Sequence, residues 1–392
     1  MPALAHKTYF NYGGQGPLPS PSLAAINASW GTIQELGPFT ADIWPWLEQE
    51  VGGLRGALAA LCGVPPERLA LTENVTSGCV LPLWGLPWQA GDELLISDCE
   101  HPGVVAACRE LSRREGLTIS TLAVKELRGD LTSTSTSVLE ALEASLTPRT
   151  RLVVLSHLLW NTGQLMPITA VAQRLEQHPR RPWLLVDAAQ SVGSLPLSSP
   201  EAEASGAGAA AVADIYAFTG HKWCCGPEGL GGVALSERLL AEAQPTMGGW
   251  RSLAQENDGG SAWHRDARRF EVATSCVPLL AGLRRSLELL EAVAPAAERL
   301  ELIQKRSQQL WQSLGQLPGV HPLLEVPPPA GLVSVVVEGT SPGELVRQLG
   351  ERAIWLRTLD DPHCLRACTH ITTTEAELER LVEAVAELTR PA

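Results

Sequence analysis

From about residue 51 the chain alternates between two apolar rhythms. Short continuous runs such as Leu152-Val153-Val154-Leu155 are separated by stretches, such as 168–177, in which apolar positions recur every three or four residues. Uninterrupted runs suit strands covered on both faces, and the amphipathic stretches suit the helices that cover them. The runs predict strands at 93–97, 117–124, 152–156, 183–186, 215–219 and 231–235. Their alternation with helices predicts a mostly parallel sheet in an α/β architecture.

The stretch 201–213, rich in Ala, Gly and Glu, reads as a surface insertion or a poorly specified helix. A long helical region follows at 276–315, and Val326-Pro327-Pro328-Pro329 breaks the pattern. Beyond it the pattern predicts strands at 332–337, 354–358 and 368–372 and helices at 342–349 and 375–388. The division this suggests is an N-terminal segment over 1–20, a large domain over 21–275, and a linking helix with a small α+β domain over 276–392. No repeat of fixed period is found.

Composition narrows the function. A chain of 392 residues with 45% hydrophobic positions can bury cores in two domains. The net charge of −13 argues against a nucleic-acid partner, which needs a basic face, and reads as a solubility device. No apolar run approaches bilayer length, and the first ten residues lack the regions of a signal peptide, so a soluble, cytoplasmic protein is expected with no membrane partner. Nine cysteines without a CxxC pair read as free thiols in a reducing compartment, and no metal site is expected.

Four motifs carry candidate chemistry. Ala217-Phe218-Thr219-Gly220-His221-Lys222-Trp223 follows the strand at 215–219 and puts Lys222 near the carboxyl edge of the sheet, where open α/β folds bind ligands. Burial there would lower its pKa, and a neutral amine condenses with carbonyl compounds; alone, the motif fits a surface lysine in a Gly-rich loop. Leu184-Leu185-Val186-Asp187-Ala188-Ala189-Gln190 is an apolar strand ending in an acid, which either pairs with a cationic ring nitrogen or caps the next helix. Thr72-Glu73-Asn74-Val75-Thr76-Ser77-Gly78 joins hydroxyls to the free N–H groups of a helix start, an anion site or an ordinary cap. Cys99-Glu100-His101-Pro102-Gly103 sets a histidine beyond the strand at 93–97, where it can stack on a ring, move protons, or be a plain loop residue.

Taken together, in this order, the motifs resemble the class V aminotransferase family, in particular its cysteine desulfurase-like branch and, within it, the L-cysteine/L-cystine C–S lyases. The matching residues run from Asn11 to the C-terminal helix, and Asp187 followed by Thr219-Gly220-His221-Lys222 is the most specific of them. The resemblance implies an α/β, aminotransferase-like PLP fold of type I, with a mostly parallel seven-stranded sheet in the large domain and a small α+β C-terminal domain. It implies pyridoxal 5′-phosphate as cofactor, held by Lys222 as a Schiff base, with Lys222 also carrying the proton between substrate Cα and leaving group. It further implies that Asp187 binds the pyridine nitrogen, Gln190 and Asn161 the ring oxygen, and that His101 stacks on the ring. Thr76, the backbone of Val75 and His221 are implied at the phosphate, with Thr219 beside them. Arg268-Arg269-Phe270-Glu271 with Thr274 resembles the segment that crosses a dimer, which implies a homodimer with Thr274 at the neighbouring site. Gly13, Gly14 and Gln15 are placed near the substrate; Trp250 is assigned to core packing, the other reading being a site wall.

An amino-acid substrate needs a carboxylate clamp, best made by a bidentate arginine. Leu365-Arg366-Ala367-Cys368 resembles the family's Arg-Ala-Ser strand and nominates Arg366; Arg357 matches a second arginine near the substrate, or is a surface residue of an edge strand. Desulfurases carry between these arginines a loop whose cysteine attacks the substrate sulfur. Here the interval is only Thr358-Leu359-Asp360-Asp361-Pro362-His363-Cys364-Leu365. Cys364 is therefore expected to be fixed near a strand, without the reach of an attacking thiolate. A second departure is Leu159-Trp160-Asn161-Thr162-Gly163, with Trp160 where desulfurases have an asparagine and Asn161 displaced by one.

Without an attacking thiol, the resemblance points to β-elimination on a small sulfur amino acid, giving pyruvate, ammonia and a persulfide or sulfide that a sulfur acceptor or iron–sulfur apoprotein can take. The competing readings are a desulfurase with a Cys364 persulfide, an epimerase or transaminase on the same scaffold, and a catalytically dead cofactor-binding module, against which the presence of Lys222, Asp187, His101 and Arg366 counts.

Overall fold

A computed structural model describes residues 1–198, 208–255 and 262–389. Its centre is a seven-stranded sheet in the order Leu69–Thr72, Gly231–Leu235, Ile215–Thr219, Trp183–Asp187, Thr150–Val154, Glu93–Ser97, Thr118–Leu122. Gly231–Leu235 runs antiparallel to both its neighbours, and all other pairs are parallel. Alternate residues of the central strands feed two cores, one holding Val153, Leu184, Val186 and Phe218 and the other Leu152, Val154, Leu185 and Ala217. That two-sided burial is why the strands read as continuous apolar runs.

Boundaries shift at several expected elements. The runs at 117–124 and 152–156 form Thr118–Leu122 and Thr150–Val154. Leu69–Thr72 gave no strand signal because its four residues run almost directly into the helix Val75–Leu83. The helical region 276–315 is two helices, Val277–Val293 and Ala296–Gly315, because Pro295 interrupts it at an extended Ala294. Of the stretch 201–213, residues 201–207 lie outside the described residues, and Ala209–Val212 forms one short helical turn.

A second, four-stranded antiparallel sheet has the order Val320–Pro322, Leu332–Val337, His363–Cys368, Arg357–Asp360. It shares a core with Ala296–Gly315, Pro342–Glu351 and Glu375–Leu388. Two expected strands are corrected here. The segment 354–358 splits, with Ile354–Trp355 pairing in parallel with Thr8–Tyr9 and Arg357–Asp360 joining the sheet. The strand expected at 368–372 lies upstream, at His363–Cys368. Residues after it turn back on themselves, with Thr373 N–H donating to the His370 carbonyl at 3.0 Å and His370 N–H donating to Thr373 Oγ1 at 2.9 Å.

The N-terminal segment belongs to this second unit as much as to the first. Phe10 is buried in its core, its N–H donates to the Trp355 carbonyl, and its carbonyl accepts from Cys368 N–H, both at 2.7 Å. Among the described residues no helix is long and apolar enough to cross a membrane.

Candidate active site

Four neighbouring parallel strands end at the same edge of the large sheet, and each delivers a functional group there. Glu93–Ser97 leads to His101, Thr150–Val154 to Ser156 and Trp160, Trp183–Asp187 ends in Asp187, and Ile215–Thr219 leads to Lys222. Val75, His101, Trp160, Asp187, Gln190 and Lys222 line one narrow cleft, with Ser156 in its wall. This is the carboxyl edge at which open α/β sheets bind ligands.

Burial lowers the Lys222 ammonium to about 8; Asp187 opposes the shift, while Arg366 and Arg357 add to it. Burial raises the Asp187 carboxyl, and Lys222, the Ala189 N–H donating to Oδ1 at 2.8 Å, and His101 draw it back down. The two groups thus sustain each other's charge in a site that otherwise disfavours both. His101 caps the helix Pro102–Glu115, its Nδ1 accepting from Gly103 N–H at 3.2 Å. Burial lowers its pKa, so the ring is neutral near pH 7 and its proton sits on Nε2.

Gln190 is fixed by its neighbours. Its Oε1 accepts from Trp223 Nε1 and its Nε2 donates to the Gly13 carbonyl, both at 2.9 Å. An indole only donates, which sets the amide's orientation and leaves one Nε2 hydrogen uncommitted. The N-terminal loop that carries Gly13, Gly14 and Gln15 closes over this region. Gly14 and Gln15 N–H both donate to the Asn11 carbonyl, at 2.9 and 3.0 Å. A Cβ on Gly13 would lie 2.9 Å from Gln190 Oε1 and 3.0 Å from Arg366 Nη2, so those side chains would have to shift, and one on Gly16 would lie only 2.2 Å from the Lys222 carbonyl, so glycine is required there.

The residues expected at the anion end lie at two helix starts and one strand exit. Asn74 caps Val75–Leu83, its side chain accepting from Ser77 N–H at 3.0 Å. Thr76 Oγ1 lies 3.2 Å from where a Gly103 Cβ would stand, so the starts of the two helices adjoin. Thr219 Oγ1 and His221 Nδ1 are 2.6 Å apart, and burial and Lys222 lower the His221 pKa.

Arg366 is fully buried on the strand His363–Cys368. Its Nη1 donates to the Trp160 carbonyl at 2.6 Å, whereas Nε and Nη2 have no partner among the described residues. A buried guanidinium with unused donors fits an anionic group of a ligand. Arg357 is exposed and lines an adjoining cavity of about 260 Å³ with Trp160, Glu100 and Asp360.

Several expected residues are not drawn into the cleft. Asn161 Nδ2 donates to the Asp361 carbonyl at 3.2 Å and faces Cys99 Sγ at 3.5 Å, which uses both its hydrogens. The ring-oxygen contact expected of Asn161 is therefore withdrawn; Trp160, held by its Nε1 donating to the Cys99 carbonyl at 3.0 Å, forms the wall instead. Thr274 is exposed and away from this chain's cleft. Trp250, at 47% exposure, is not a core residue. Cys364 is buried on its strand opposite Leu359, and burial pushes its thiol up to about 11. Ser156 and Glu100 were not singled out from the sequence; the signal for Ser156 was its place just past an apolar run, and for Glu100 its place before His101.

The chain matches the family model "Aminotransferase class-V" over residues 47–382. The isopenicillin N epimerase of Streptomyces clavuligerus is 30% identical to it, across 97% of this chain and 94% of that protein. A probable cysteine desulfurase of Xylella fastidiosa is 25% identical across 84% of this chain and 78% of that protein. Among solved structures, the cystine C–S lyase C-DES in complex with its reaction product cysteine persulfide superposes with a TM-score of 0.91 at 42% identity, covering 98% of this chain and 99% of that one. A C-DES mutant with glycine covalently linked to the PLP cofactor matches with the same score and identity, covering 98% of each chain. A fold of this topology, a lysine and a buried aspartate at one sheet edge, and a family match over most of the length lead to one conclusion: the chain belongs to the class V aminotransferase family.

Proposed function

We propose that this protein is a pyridoxal-phosphate-dependent C–S lyase that performs β-elimination on L-cystine and L-cysteine. The residues fit the cofactor. Lys222 offers an amine lowered to about 8, Asp187 a buried carboxylate, Val75 and Thr76 the start of a helix, and Thr219 and His221 a linked pair of polar side chains at a strand exit. When bound, pyridoxal phosphate supplies an aldehyde for Lys222 and an electron-withdrawing ring that acidifies the substrate's Cα. Asp187 would keep the ring nitrogen protonated, Gln190 would donate its free hydrogen to the ring oxygen, and His101 would stack on the ring. Arg366, with Arg357 at the rim, would take the substrate carboxylate. Lys222 would then remove the Cα proton and return one to the departing sulfur. With cystine and one water the products are pyruvate, ammonia and cysteine persulfide; with cysteine the sulfur leaves as sulfide.

The observation that carries the reading is Cys364. It is the cysteine between the two arginines, and it sits buried within a strand, with no loop to bring it to a substrate sulfur. An elimination needs no such thiol. The protein would act as a cytoplasmic homodimer, Thr274 reaching the neighbour's phosphate, and its persulfide product would be open to a sulfur acceptor such as an iron–sulfur apoprotein.

A second reading, an amino-acid epimerase, is favoured by the 30% identity to isopenicillin N epimerase over 97% of the chain. Both are tested by incubating the protein with L-cystine and with L-cysteine, with neither reductant nor acceptor acid. Pyruvate in step with sulfane sulfur from cystine supports the lyase. Alanine from cysteine without pyruvate indicates a desulfurase, and inversion at Cα with sulfur retained indicates an epimerase.

A further inference from the structure

The strand exits that carry His101 and Trp160 are tied together by a residue with no part in the reaction above. Glu100 is 7% exposed. Its Oε1 accepts from Ser97 Oγ at 2.6 Å and from Ser156 N–H at 2.7 Å, and its Oε2 accepts from Ser156 Oγ at 2.8 Å. Ser97 ends one strand and Ser156 lies just past its parallel neighbour, so one carboxylate joins two strand exits at the ligand-binding edge. His101 is the next residue in the chain, and Ser156 lines the Lys222 cleft beside Asp187.

We infer that Glu100 is a positioning residue of this active site, whose ionised carboxylate holds the His101 turn and the Ser156 wall in one fixed arrangement. The inference rests on the cleft being the cofactor pocket, and not on which sulfur amino acid enters it. All three partners donate to Glu100, and only the carboxylate form accepts all three at once. A protonated carboxyl must donate its own hydrogen; Oε1 is held as an acceptor by the Ser156 N–H, so the proton falls to Oε2 and Ser156 Oγ rotates to accept it, and protonation exchanges charge-assisted bonds for weaker ones.

The surroundings place this change near neutral pH. Burial raises Glu100 to about 7; Asp187 adds to the rise, and the bonds from Ser97 and Ser156 oppose it. The other titratable groups around it are His101, the thiols of Cys79, Cys99 and Cys108, the side chains of Asp98, Arg357, Asp360 and Asp361 that share one cavity with it, and those of Arg109, Glu110 and Arg113 that share another. Burial lowers His101 and raises all three thiols, so each of these four is uncharged near pH 7. Of the charged groups, Asp187 is the one that raises Glu100. Acid would relieve the repulsion between the two carboxylates while loosening the tie between the strand exits.

Infrared difference spectra of the holoenzyme, titrated across neutral pH, read protonated carboxyl groups directly and do not depend on turnover. The expected result is a carboxylic C=O band that vanishes with a midpoint near 7 in the native protein and is missing in Glu100→Gln. Glutamine keeps the shape but donates to Ser156 Oγ, as the protonated acid does. Its kcat at alkaline pH should fall on the order of tenfold with KM within about twofold, the cost of weakening a charged hydrogen bond, and the acidic limb of the kcat profile should flatten. A band indifferent to the substitution, or a native kcat profile in Glu100→Gln, overturns the inference. Should Glu100→Gln not fold, Ser156→Ala, which removes a bond to the charged form, should move the native band's midpoint upward; an unmoved midpoint overturns it equally. Absence of pyruvate from every substrate would count against the lyase reading and leave the infrared test standing.

Discussion

Arg357 and Arg366 stand directly opposite one another on adjacent antiparallel strands. Burial and the neighbouring Arg366 both lower the Arg357 guanidinium, and Arg366 keeps two buried nitrogens without partners among the described residues. Two like charges so placed repel, and a carboxylate set between them relieves both the repulsion and the unused donors.

Arg366→Gln should lower kcat/KM for an amino-acid substrate on the order of 10²–10³-fold, about 3–4 kcal/mol for a buried charged clamp. Arg357→Gln, being exposed, should cost about tenfold or less. Neither substitution should lower the melting temperature, because each removes one of two opposed cations. A marked loss of stability in Arg366→Gln would show that the residue is structural.

Lys222 should control how the cofactor-free protein takes up pyridoxal phosphate. Its folded pKa of about 8 lies below the 10.5 of an ordinary lysine, so the unfolded chain binds more protons between these values. Stability of the cofactor-free protein should then rise as pH goes from 8 to 10.5, the Lys222 penalty being complete below 8. Imine formation, followed by absorbance, should accelerate through the same midpoint. Asp187→Asn should move the midpoint down and Arg366→Gln should move it up, since the first removes an opposing anion and the second a reinforcing cation.

Cys364→Ala should leave sulfur release from cystine unchanged within about twofold, since the thiol is buried and pushed up to about 11. Alkylation of the native protein, mapped by mass spectrometry, should mark the exposed Cys276 and spare Cys364. Abolished sulfur release in Cys364→Ala would restore the desulfurase reading.

Gly16→Ala should destabilise the protein by about 1–3 kcal/mol, the usual range for forcing an extra methyl into packed structure. Its Cβ would meet the Lys222 carbonyl, and the Gly16 N–H bond to the His221 carbonyl at 2.8 Å would be lost as the loop moved. A melting curve would show the fall, and a raised KM would report the displaced Gly13–Gln190 contact. An unchanged curve would mean that the loop can shift freely.

The middle of the large sheet was legible because its central strands are buried on both faces, so Leu-Val-Val-Leu and Leu-Leu-Val-Asp announce themselves and their ends point to Asp187 and Lys222. The second sheet was harder. In His363–Cys368 alternate residues go to opposite sides: Leu365 and Ala367 enter the small core, while Cys364, Arg366 and Cys368 face the other way. A buried arginine at an inward position breaks the apolar pattern, and the β-branched run after it drew the expected strand downstream into a turn. Asn161 failed for a related reason, as the partners that consume its amide, Cys99 and Asp361, are distant in sequence. Glu100 was invisible because its role depends on Ser156, which only strand pairing brings beside it.

The pairing of Thr8–Tyr9 with Ile354–Trp355, and the burial of Phe10 against Leu365 and Val385, set an order on how the molecule can be made. A ribosome releases residues 8–10 long before the helix Glu375–Leu388, so the small core stays open until that helix has emerged. The large sheet, whose strands all lie between 69 and 235, can close well before that. The loop bearing Gly13 and Gly16 must therefore wait, tethered to a segment without its partner strand. The Arg366 side of the cleft is thus completed after the Lys222 side, and a chain cut short before Glu375–Leu388 would carry Lys222 and Asp187 with no finished small core beside them.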